Sequence, residues 1–314
     1  MPALPFLDAD AMRRAAPIVE LVDAVEQAYR DVAAGRDASP PRSRVELANL
    51  DLLLMPGLRQ GGSGASVKVV TVTPSNPTRN LPTVQAVVLW LDAETGTPRA
   101  LLDGAELTAM RTGAGSGAAT RLLARPDASV LALIGAGAQA EWQARAVAAV
   151  RPIREVRIYA RGPSRDALAA RLAGDGRIVA VGSAREAVDG ADVICCATTS
   201  HEPVFDADWV GAGTHVNAIG SFRPEMVELP PRLFGRAALV AVDSRAAALV
   251  EAGDLRAAIA AGELAERDVV ELGSVAAGYA AQRDAGAITI FKSVGLAIQD
   301  VAAAELVVGR LLST

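Results

Sequence analysis

A glycine-rich segment near the middle of the chain has the spacing of a dinucleotide-binding turn. Residues 135–140 read Gly-Ala-Gly-Ala-Gln-Ala and directly follow an unbroken apolar run at 130–134. In the G-x-G-x-x-G/A fingerprint the first glycine allows a tight turn after a strand, and the second lets backbone amides approach a pyrophosphate. The start of the following helix then offers N–H groups to the phosphates. We predict that four residues of this turn bind the cofactor: Gly135, Gly137, Ala138 and Gln139.

The end of the next predicted strand, 156–159, indicates which dinucleotide is bound. An acidic residue there would bind the ribose 2′-hydroxyl of NAD, whereas an arginine can accept the 2′-phosphate of NADP. Here the strand is followed by Arg161, with Ser164 and Arg165 close behind and no carboxylate in that position. We therefore predict NADP(H), with Arg161 and Ser164 as contacts, while NAD stays possible. An exposed loop arginine without a ligand is the alternative interpretation.

Two further hydroxyl residues are predicted to contact the cofactor. Thr198 follows a predicted buried strand at 193–197, near the place where a dinucleotide crosses such a sheet. Ser293 follows a strand-like run close to the C-terminal end of the chain. A helix N-cap would explain Ser293 equally well.

Three cationic side chains in the first third of the chain could bind a small carboxylate. Lys68 lies in the otherwise apolar run 66–70, so that it needs a partner if it is buried. A lysine at a sheet edge with its ammonium in solvent is the alternative. Arg111 is surrounded by small residues, and Arg44 lies in another strand-like run. Arginine can bind a carboxylate through two parallel hydrogen bonds.

The hydrophobic patterns predict two kinds of structure along the 314 residues. The first 125 or so mix an amphipathic helix at 10–33 with antiparallel strands at 43–47, 51–55, 66–73 and 83–91, and a small-residue helix follows at 108–124. From residue 129 onward strands alternate with helices, which predicts a doubly wound parallel sheet. A strand and a helix end the chain at 286–312. The predicted fold class is α/β.

Composition excludes several classes of protein. A net charge of −5 argues against a nucleic-acid partner, and no apolar run reaches the length that spans a bilayer. Two histidines and the adjacent cysteines Cys195 and Cys196 are too few for a metal cluster or a disulfide framework. We expect reduced thiols, no metal, no secretory signal peptide and a cytoplasmic protein.

Several segments together resemble the ornithine cyclodeaminase/mu-crystallin family over nearly the full chain. Each match would be weak alone, but the combination is specific. The matching segments are 66–70, 81–85, 109–114, 135–140, 216–220 and 291–300.

The resemblance implies a Rossmann domain that binds NAD(P), a homodimer, and a small imino or amino acid substrate between two domains. The outer α+β domain, predicted at 1–115 with 294–314, would make the dimer contacts, and 116–293 would form the Rossmann domain. Arg44, Lys68 and Arg111 match the family positions that hold the substrate carboxylate. Thr83 lies in another matching segment and is predicted to contact the substrate. Asp300 is interpreted as no more than an ion-pair partner.

One position separates the activities of the family. The cyclodeaminase and alanine dehydrogenase types carry a catalytic aspartate where this chain has Phe222. A phenyl ring cannot exchange protons, whereas mu-crystallin-like ketimine reductases also lack that aspartate. Glu225 could replace it only if the loop rearranged.

We therefore predict an NAD(P)H-dependent reductase of a small cyclic or N-substituted ketimine, with Lys68 and Arg111 as catalytic residues. Lys68 would lie near the imine nitrogen or donate a proton through water. Two alternatives stay open. One is an ammonia-eliminating ornithine cyclodeaminase, and the other is a non-catalytic, NADP-binding, crystallin-like protein.

Overall fold

The chain forms two compact units. The computed structural model describes residues 3–174, 176–279 and 284–312. One unit comprises Met1–Arg111 with Leu296–Thr314, and the other comprises Thr112–Gly295. The division falls at residues 111 and 296, where the sequence predicted 115 and 294. The dimerisation role of the first unit stays a prediction.

The first unit contains a six-stranded sheet with the order β1-β6-β5-β4-β3-β2. Strands β2 to β6 pair antiparallel with their sequence neighbours, whereas β1 pairs parallel with β6. The strands are β1 (Phe6–Leu7), β2 (Ser43–Leu47), β3 (Leu50–Leu58), β4 (Gly64–Val72), β5 (Val84–Asp92) and β6 (Pro98–Asp103). Alternate residues of β4 are buried. One face of the sheet therefore packs against helices, as a period of two requires.

The predicted helix at 10–33 is wrong in one respect, because the structure contains two helices there. They are α1 (Ala9–Ala15) and α2 (Ile18–Ala33). Pro17 separates them, since proline has no N–H to donate and disfavours helical geometry in the residue before it. The predicted apolar face of α2 is buried at Leu21, Val22, Val25 and Tyr29.

The C-terminal helix α11 (Ala297–Leu311) returns to the first unit and packs on α2, β3 and β4. Helix α3 (Gly104–Leu123), within which the division between the two units falls, begins four residues earlier than the predicted 108. Asp103 explains the earlier start, because its carboxylate accepts the N–H groups of Ala105 and Glu106. Helix α3 brings Arg111 into the first unit, and α11 brings Asp300.

The second unit contains an eight-stranded parallel sheet with the order β13-β12-β14-β11-β10-β7-β8-β9. The predicted α/β class with a doubly wound sheet is confirmed. The chain runs from β7 to β8 and β9 on one side and returns to β10 on the other. Ligands bind outside the carboxyl ends of the strands at such a reversal. The strands are β7 (Val130–Ile134), β8 (Glu155–Tyr159), β9 (Arg177–Ala180), β10 (Val193–Cys196), β11 (His215–Ala218), β12 (Ala237–Val242), β13 (Val269–Glu271) and β14 (Ile288–Lys292).

Both faces of this sheet are covered. Successive residues of β7 enter different cores, with Leu131 and Leu133 on one side and Ala132 and Ile134 on the other. That arrangement explains why the strand is an unbroken apolar run. The helices of this unit are α4 (Ala140–Val150), α5 (Ser164–Arg171), α6 (Ala184–Val188), α7 (Pro231–Arg236), α8 (Arg245–Glu251), α9 (Gly253–Ala260) and α10 (Leu272–Ala276). Among the described residues, no helix is long and apolar enough to cross a membrane.

Candidate active site

The dinucleotide turn in the second unit is closely fixed by its neighbours. Gly135 has a φ of +103°, which favours glycine, and a Cβ at this position would lie 2.5 Å from the carbonyl oxygen of Ala197. Its N–H donates to the carbonyl of Tyr159 at 2.8 Å. The first fingerprint glycine is thus held between the carboxyl ends of β8 and β10, and only glycine fits there.

The rest of the turn is open toward solvent. A Cβ on Gly137 would meet no atom within 4 Å, and Ala138 is exposed. Helix α4 begins directly afterwards at Ala140. The Oε1 atom of Gln139 is buried and has no hydrogen-bond partner among the residues that the structure describes. Open space and the N–H groups at the start of the helix fit the pyrophosphate of a dinucleotide.

Arg161 and Ser164 follow β8, where the sequence placed them. Arg161 is exposed, and Gly162 after it turns the chain with a φ of +85°. Ser164 is the first residue of α5 and is also exposed. Arg165 is held differently, because its Nη1 atom donates to the carbonyl of Val181 at 3.0 Å.

The two other predicted cofactor contacts have internal partners. The backbone N–H of Thr198 donates to Glu228 at 2.6 Å. Ser293 is buried, and its hydroxyl donates to Asp243 at 2.8 Å. The alternative that Ser293 caps the last helix is wrong, because the N-cap of α11 is Leu296.

The first unit contains a buried charge cluster at Lys68. Its ammonium is 2.7 Å from the Oδ2 atom of Asp300, and the two side chains are 1% and 0% exposed. The Nε atom of Arg111 donates to the other carboxylate oxygen of Asp300 at 3.0 Å. One carboxylate therefore serves two cations, and the interpretation of Lys68 as a solvent-exposed edge lysine is wrong.

Gln299 extends the cluster. Its Oε1 atom accepts from Nη1 of Arg111 at 3.1 Å and from the N–H of Leu296 at 2.7 Å. Its Nε2 atom donates to the hydroxyl of Tyr29 at 2.6 Å. Arg111 is therefore fixed at Nε and Nη1 by two neighbouring residues of α11.

The electrostatics of the cluster favour an anionic ligand. Burial, together with the positive charges of Arg111 and Arg42, lowers the pKa of Lys68 to about 7 against the attraction of Asp300. When Lys68 is protonated, the two cations that contact Asp300 carry one more charge than the carboxylate neutralises. A buried excess charge is costly unless a counter-ion pairs with it. A small carboxylate would supply that charge.

Arg44 lies in β2 of the same sheet, and Thr83 directly precedes β5. The guanidinium of Arg44 forms ion pairs with Glu46 at 2.8 Å and with Asp51 at 2.9 Å. Arg42, by contrast, acts on the charge of Lys68. Thr83 is half-buried before β5, and its carbonyl accepts from the N–H of Thr73.

Comparison with known proteins places the chain in a family. The model of the ornithine cyclodeaminase/mu-crystallin family matches residues 6–314. The chain belongs to the ornithine cyclodeaminase/mu-crystallin family. A Delta(1)-pyrroline-2-carboxylate reductase of Bacillus cereus is 38% identical, covering 97% of this chain and 95% of its own. The ketimine reductase mu-crystallin of Mus musculus is 36% identical over 91% of this chain and 90% of its own.

Solved structures of the family are similar in fold. The Thermococcus litoralis Delta(1)-pyrroline-2-carboxylate reductase, in complex with NADH and L-proline, has a TM-score of 0.92 and 34% identity, covering 98% of each chain. An archaeal alanine dehydrogenase dimer with bound NAD has a TM-score of 0.90 and 36% identity, covering 98% of this chain and 96% of its own.

The loop that separates the family's activities follows β11. Phe222 is half-buried and packs on the apolar core of the second unit. The guanidinium of Arg223 lies 5.7 Å from the centre of its ring. Glu225 is directed outward, with a side chain that is 53% exposed, and its carbonyl accepts from Nδ1 of His201 at 3.0 Å. The position that holds the catalytic aspartate in cyclodeaminases is therefore apolar here.

The prediction of Asp300 as an ion-pair partner is confirmed, but the sequence did not show that its partners are Lys68 and Arg111. The partners of Thr198 and Ser293 were not predicted either. Asp300 is 232 residues from Lys68 in the sequence, and nothing in its own segment shows which cations it contacts. One signal was present, because a lysine in an apolar strand requires a buried carboxylate somewhere in the chain.

Proposed function

We propose that the chain is an NAD(P)H-dependent reductase of small cyclic or N-substituted imino acids. The observation that carries the proposal is the buried pair of cations on one carboxylate, Lys68 and Arg111 on Asp300. The dinucleotide turn of the second unit and the names of the family relatives support the same reaction.

The protein's part in this reaction is to hold and orient an anion. Because Nε and Nη1 of Arg111 are committed to Asp300 and Gln299, we expect the substrate carboxylate at Nη2 and at the ammonium of Lys68. When bound, the reduced nicotinamide supplies a hydride to the carbon of the C=N bond. Fixing the substrate in a reactive orientation can contribute about 7–11 kcal/mol to lowering the barrier in favourable cases.

Lys68 also fits the proton that imine reduction requires. The nitrogen must carry a proton when the carbon receives hydride, so that an iminium becomes an amine. With a pKa of about 7, Lys68 exchanges a proton near neutral pH, directly or through a water molecule. The excess positive charge of the cluster favours release of that proton.

The third cation of the anion site is either Arg42 or Arg44. In the register of the sheet Lys68 lies opposite Met55, whereas Arg44 lies opposite Leu53. Continuing that register by one pair puts Arg42, not Arg44, in line with Lys68. The influence of Arg42 on the Lys68 charge agrees with this placement. We therefore expect Arg42→Ala to weaken substrate binding more than Arg44→Ala.

We propose NADPH as the preferred cofactor because Arg161 occupies the place of the ribose-binding carboxylate. The ratio of kcat/KM for NADPH and NADH tests the preference. A ratio below one would show a preference for NADH and would mean that Arg161 does not bind the 2′-phosphate.

We also propose a homodimer formed through the outer face of the first unit's sheet. Four exposed apolar side chains lie on that face: Val45, Leu47, Leu54 and Leu58. Sedimentation analysis should give twice the chain mass, and Leu47→Lys should shift it toward the monomer. The cytoplasmic location stays a prediction.

The deciding experiment follows NADPH and NADH oxidation with cyclic imino acids and with mixtures of keto acids and amines. We expect turnover with at least one cyclic imino acid. Lys68→Ala should abolish turnover while the cofactor still binds, and Arg44→Ala serves as a matched cation deletion. Ornithine tests the cyclodeaminase alternative. Ammonia and proline formed from it without net cofactor consumption would overturn the proposal, and no turnover with any imine would favour a binding protein.

A further inference from the structure

A second buried charge cluster lies in the second unit, which contains the dinucleotide turn. It consists of Glu228, Asp254 and Lys292, all of which are 0% exposed. The ammonium of Lys292 is 3.0 Å from the Oδ2 atom of Asp254. Its charge also acts on the Glu228 carboxyl group, whose pKa is raised by burial. Because burying ionisable groups away from solvent costs free energy, we expect this cluster to have a specific role.

Glu228 binds backbone amides that follow two neighbouring strands. Its Oε1 atom accepts from the N–H of Thr198, after β10, at 2.6 Å. Its Oε2 atom accepts from the N–H groups of Gly220 and Ser221, after β11, at 2.7 and 3.1 Å. Each carboxylate oxygen thus holds a different loop. Gly220 leaves the room for this approach, because a Cβ there would overlap Glu228 and the Thr198 carbonyl.

Asp254 holds the glutamate itself. Its Oδ1 atom accepts from the N–H groups of Glu228 and Leu229 at 2.6 and 3.0 Å. Its other oxygen faces Lys292. Asp254 therefore fixes the backbone of Glu228, and the carboxylate of Glu228 in turn fixes the two loops.

Thr198 connects this cluster to the dinucleotide turn. A Cβ placed on Gly135 would lie 2.5 Å from the Ala197 carbonyl and 3.1 Å from the Cγ2 atom of Thr198. The segment that Glu228 holds therefore packs directly against the first glycine of the fingerprint. If this segment shifted by a few tenths of an ångström, it would press on the backbone of the dinucleotide turn.

We propose that Glu228 is a positioning residue that sets the loops after β10 and β11 for the nicotinamide half of the dinucleotide. The proposed contact of the adenosine half, Arg161, follows β8, which lies on the opposite side of β7 from β10 and β11. It acts through Thr198 and through Gly220 and Ser221, without contact to the cofactor. The proposal rests on the dinucleotide binding in the proposed function. Its test measures cofactor binding alone, so that it does not depend on which imine is reduced.

Glu228→Gln is the informative change. Glutamine has one carbonyl oxygen, so its NH₂ group would face either the Thr198 N–H or the pair at Gly220 and Ser221. One loop would lose its acceptor. Lys292 and Asp254 still neutralise each other in this variant, which favours folding. Glu271→Gln is a matched control, because Glu271, the last residue of the edge strand β13, likewise accepts a backbone N–H, that of Arg245 after β12.

The experiment compares the Kd of NADPH, and of NADH, with the Kd of ADP-ribose and its 2′-phosphate, which lack the nicotinamide. We expect Glu228→Gln to weaken the intact dinucleotide about tenfold or more, the effect of losing one hydrogen bond to a charged group. The fragments should bind as in the unchanged protein. Glu271→Gln should change neither.

Two results would overturn the inference. Unchanged NADPH binding in Glu228→Gln would remove the positioning role. Equal weakening of dinucleotide and fragment would show a general structural role only. If the glutamine variant does not fold, Glu228→Asp replaces it, since it keeps both oxygens but withdraws them by one methylene. The same selective loss is expected, at a smaller magnitude. A wild-type protein that binds NADPH yet reduces no imine would refute the proposed reaction and leave this inference open to the same test.

Discussion

The substitution Asp300→Asn tests whether Asp300 controls the pKa of Lys68. The change keeps the shape of the side chain but removes the charge that Lys68 and Arg111 share. Two cations would then lie close together without a carboxylate. Burial, Arg111 and Arg42 already lower the pKa of Lys68 to about 7 against the attraction of Asp300. The pKa of Lys68 must therefore fall further.

The size of the effect follows from Coulomb's law. Two unit charges about 4 Å apart attract by about 4 kcal/mol at an effective dielectric constant of about 20. Each ~1.4 kcal/mol lost lowers the pKa by one unit, so even a third of this attraction makes Lys68 mostly neutral at pH 7. Removing one partner of a buried pair also destabilises a protein by about 3–5 kcal/mol. We expect a marked decrease in both imine reduction and melting temperature.

The assay is kcat/KM for imine reduction between pH 5 and pH 9, because this quantity reports ionisations of the free enzyme. In the unchanged protein kcat/KM should decrease as the pH rises through about 7, since protonated Lys68 is required. In Asp300→Asn this decrease should occur at a lower pH. Glu305→Gln, on the same helix, breaks the ion pair with Arg59 and controls for lost stability alone. A folded Asp300→Asn enzyme with an unmoved pH profile would refute the reasoning.

Three further changes test other parts of the site. Gly135→Ala should abolish dinucleotide binding, because the new Cβ would collide with the Ala197 carbonyl. Fluorescence titration measures this, and a Kd within about twofold of that of the unchanged protein would contradict the placement of the turn. Arg161→Asp should reverse the NADPH preference in kcat/KM. Arg165→Ala should have a smaller effect, because the guanidinium of Arg165 already donates to the carbonyl of Val181. Phe222→Asp restores a carboxylate at the family's acid/base position and should yield detectable ammonia from ornithine, with Phe222→Asn as the uncharged control.

The second unit could be predicted from the sequence in large part. An apolar run, a glycine turn and a helix identify their own structure within about twelve residues, because the strand is buried on both faces and the turn admits only glycine. The strand Val130–Ile134 lies where the pattern placed it, and the strand Glu155–Tyr159 begins one residue before the predicted 156–159. The helices α7 to α10 were not predicted. They are short, and five to eight residues give too little periodicity to distinguish a helix from a loop.

The cations of the candidate site could be predicted from the sequence, but their ion-pair partners could not. Lys68 and Arg111 were identified from their surroundings, but the ion pairs that define them depend on α11 returning to the first unit. Contacts between residues this far apart in sequence are set by topology, which local patterns do not contain. The same holds for Glu228, whose three amide donors come from two loops. The polar groups that fix a site are therefore harder to predict than the groups that carry its chemistry.

Proton uptake on ligand binding is the most direct consequence of the excess charge at Asp300. A substrate carboxylate stabilises charged Lys68, so it must raise the pKa of that lysine above its value of about 7 in the free protein. By linkage, the anion then binds more weakly as the pH rises above 7, with Kd increasing up to about tenfold per pH unit, and Kd is level below pH 7. Calorimetric titration of a non-reactive cyclic carboxylate in two buffers of different ionisation enthalpy measures the protons directly. We expect uptake to approach one proton per anion near pH 8, and Lys68→Met should abolish the uptake while Arg111 retains part of the affinity. Release of protons, or a Kd independent of pH, would mean that Lys68 does not face the bound anion.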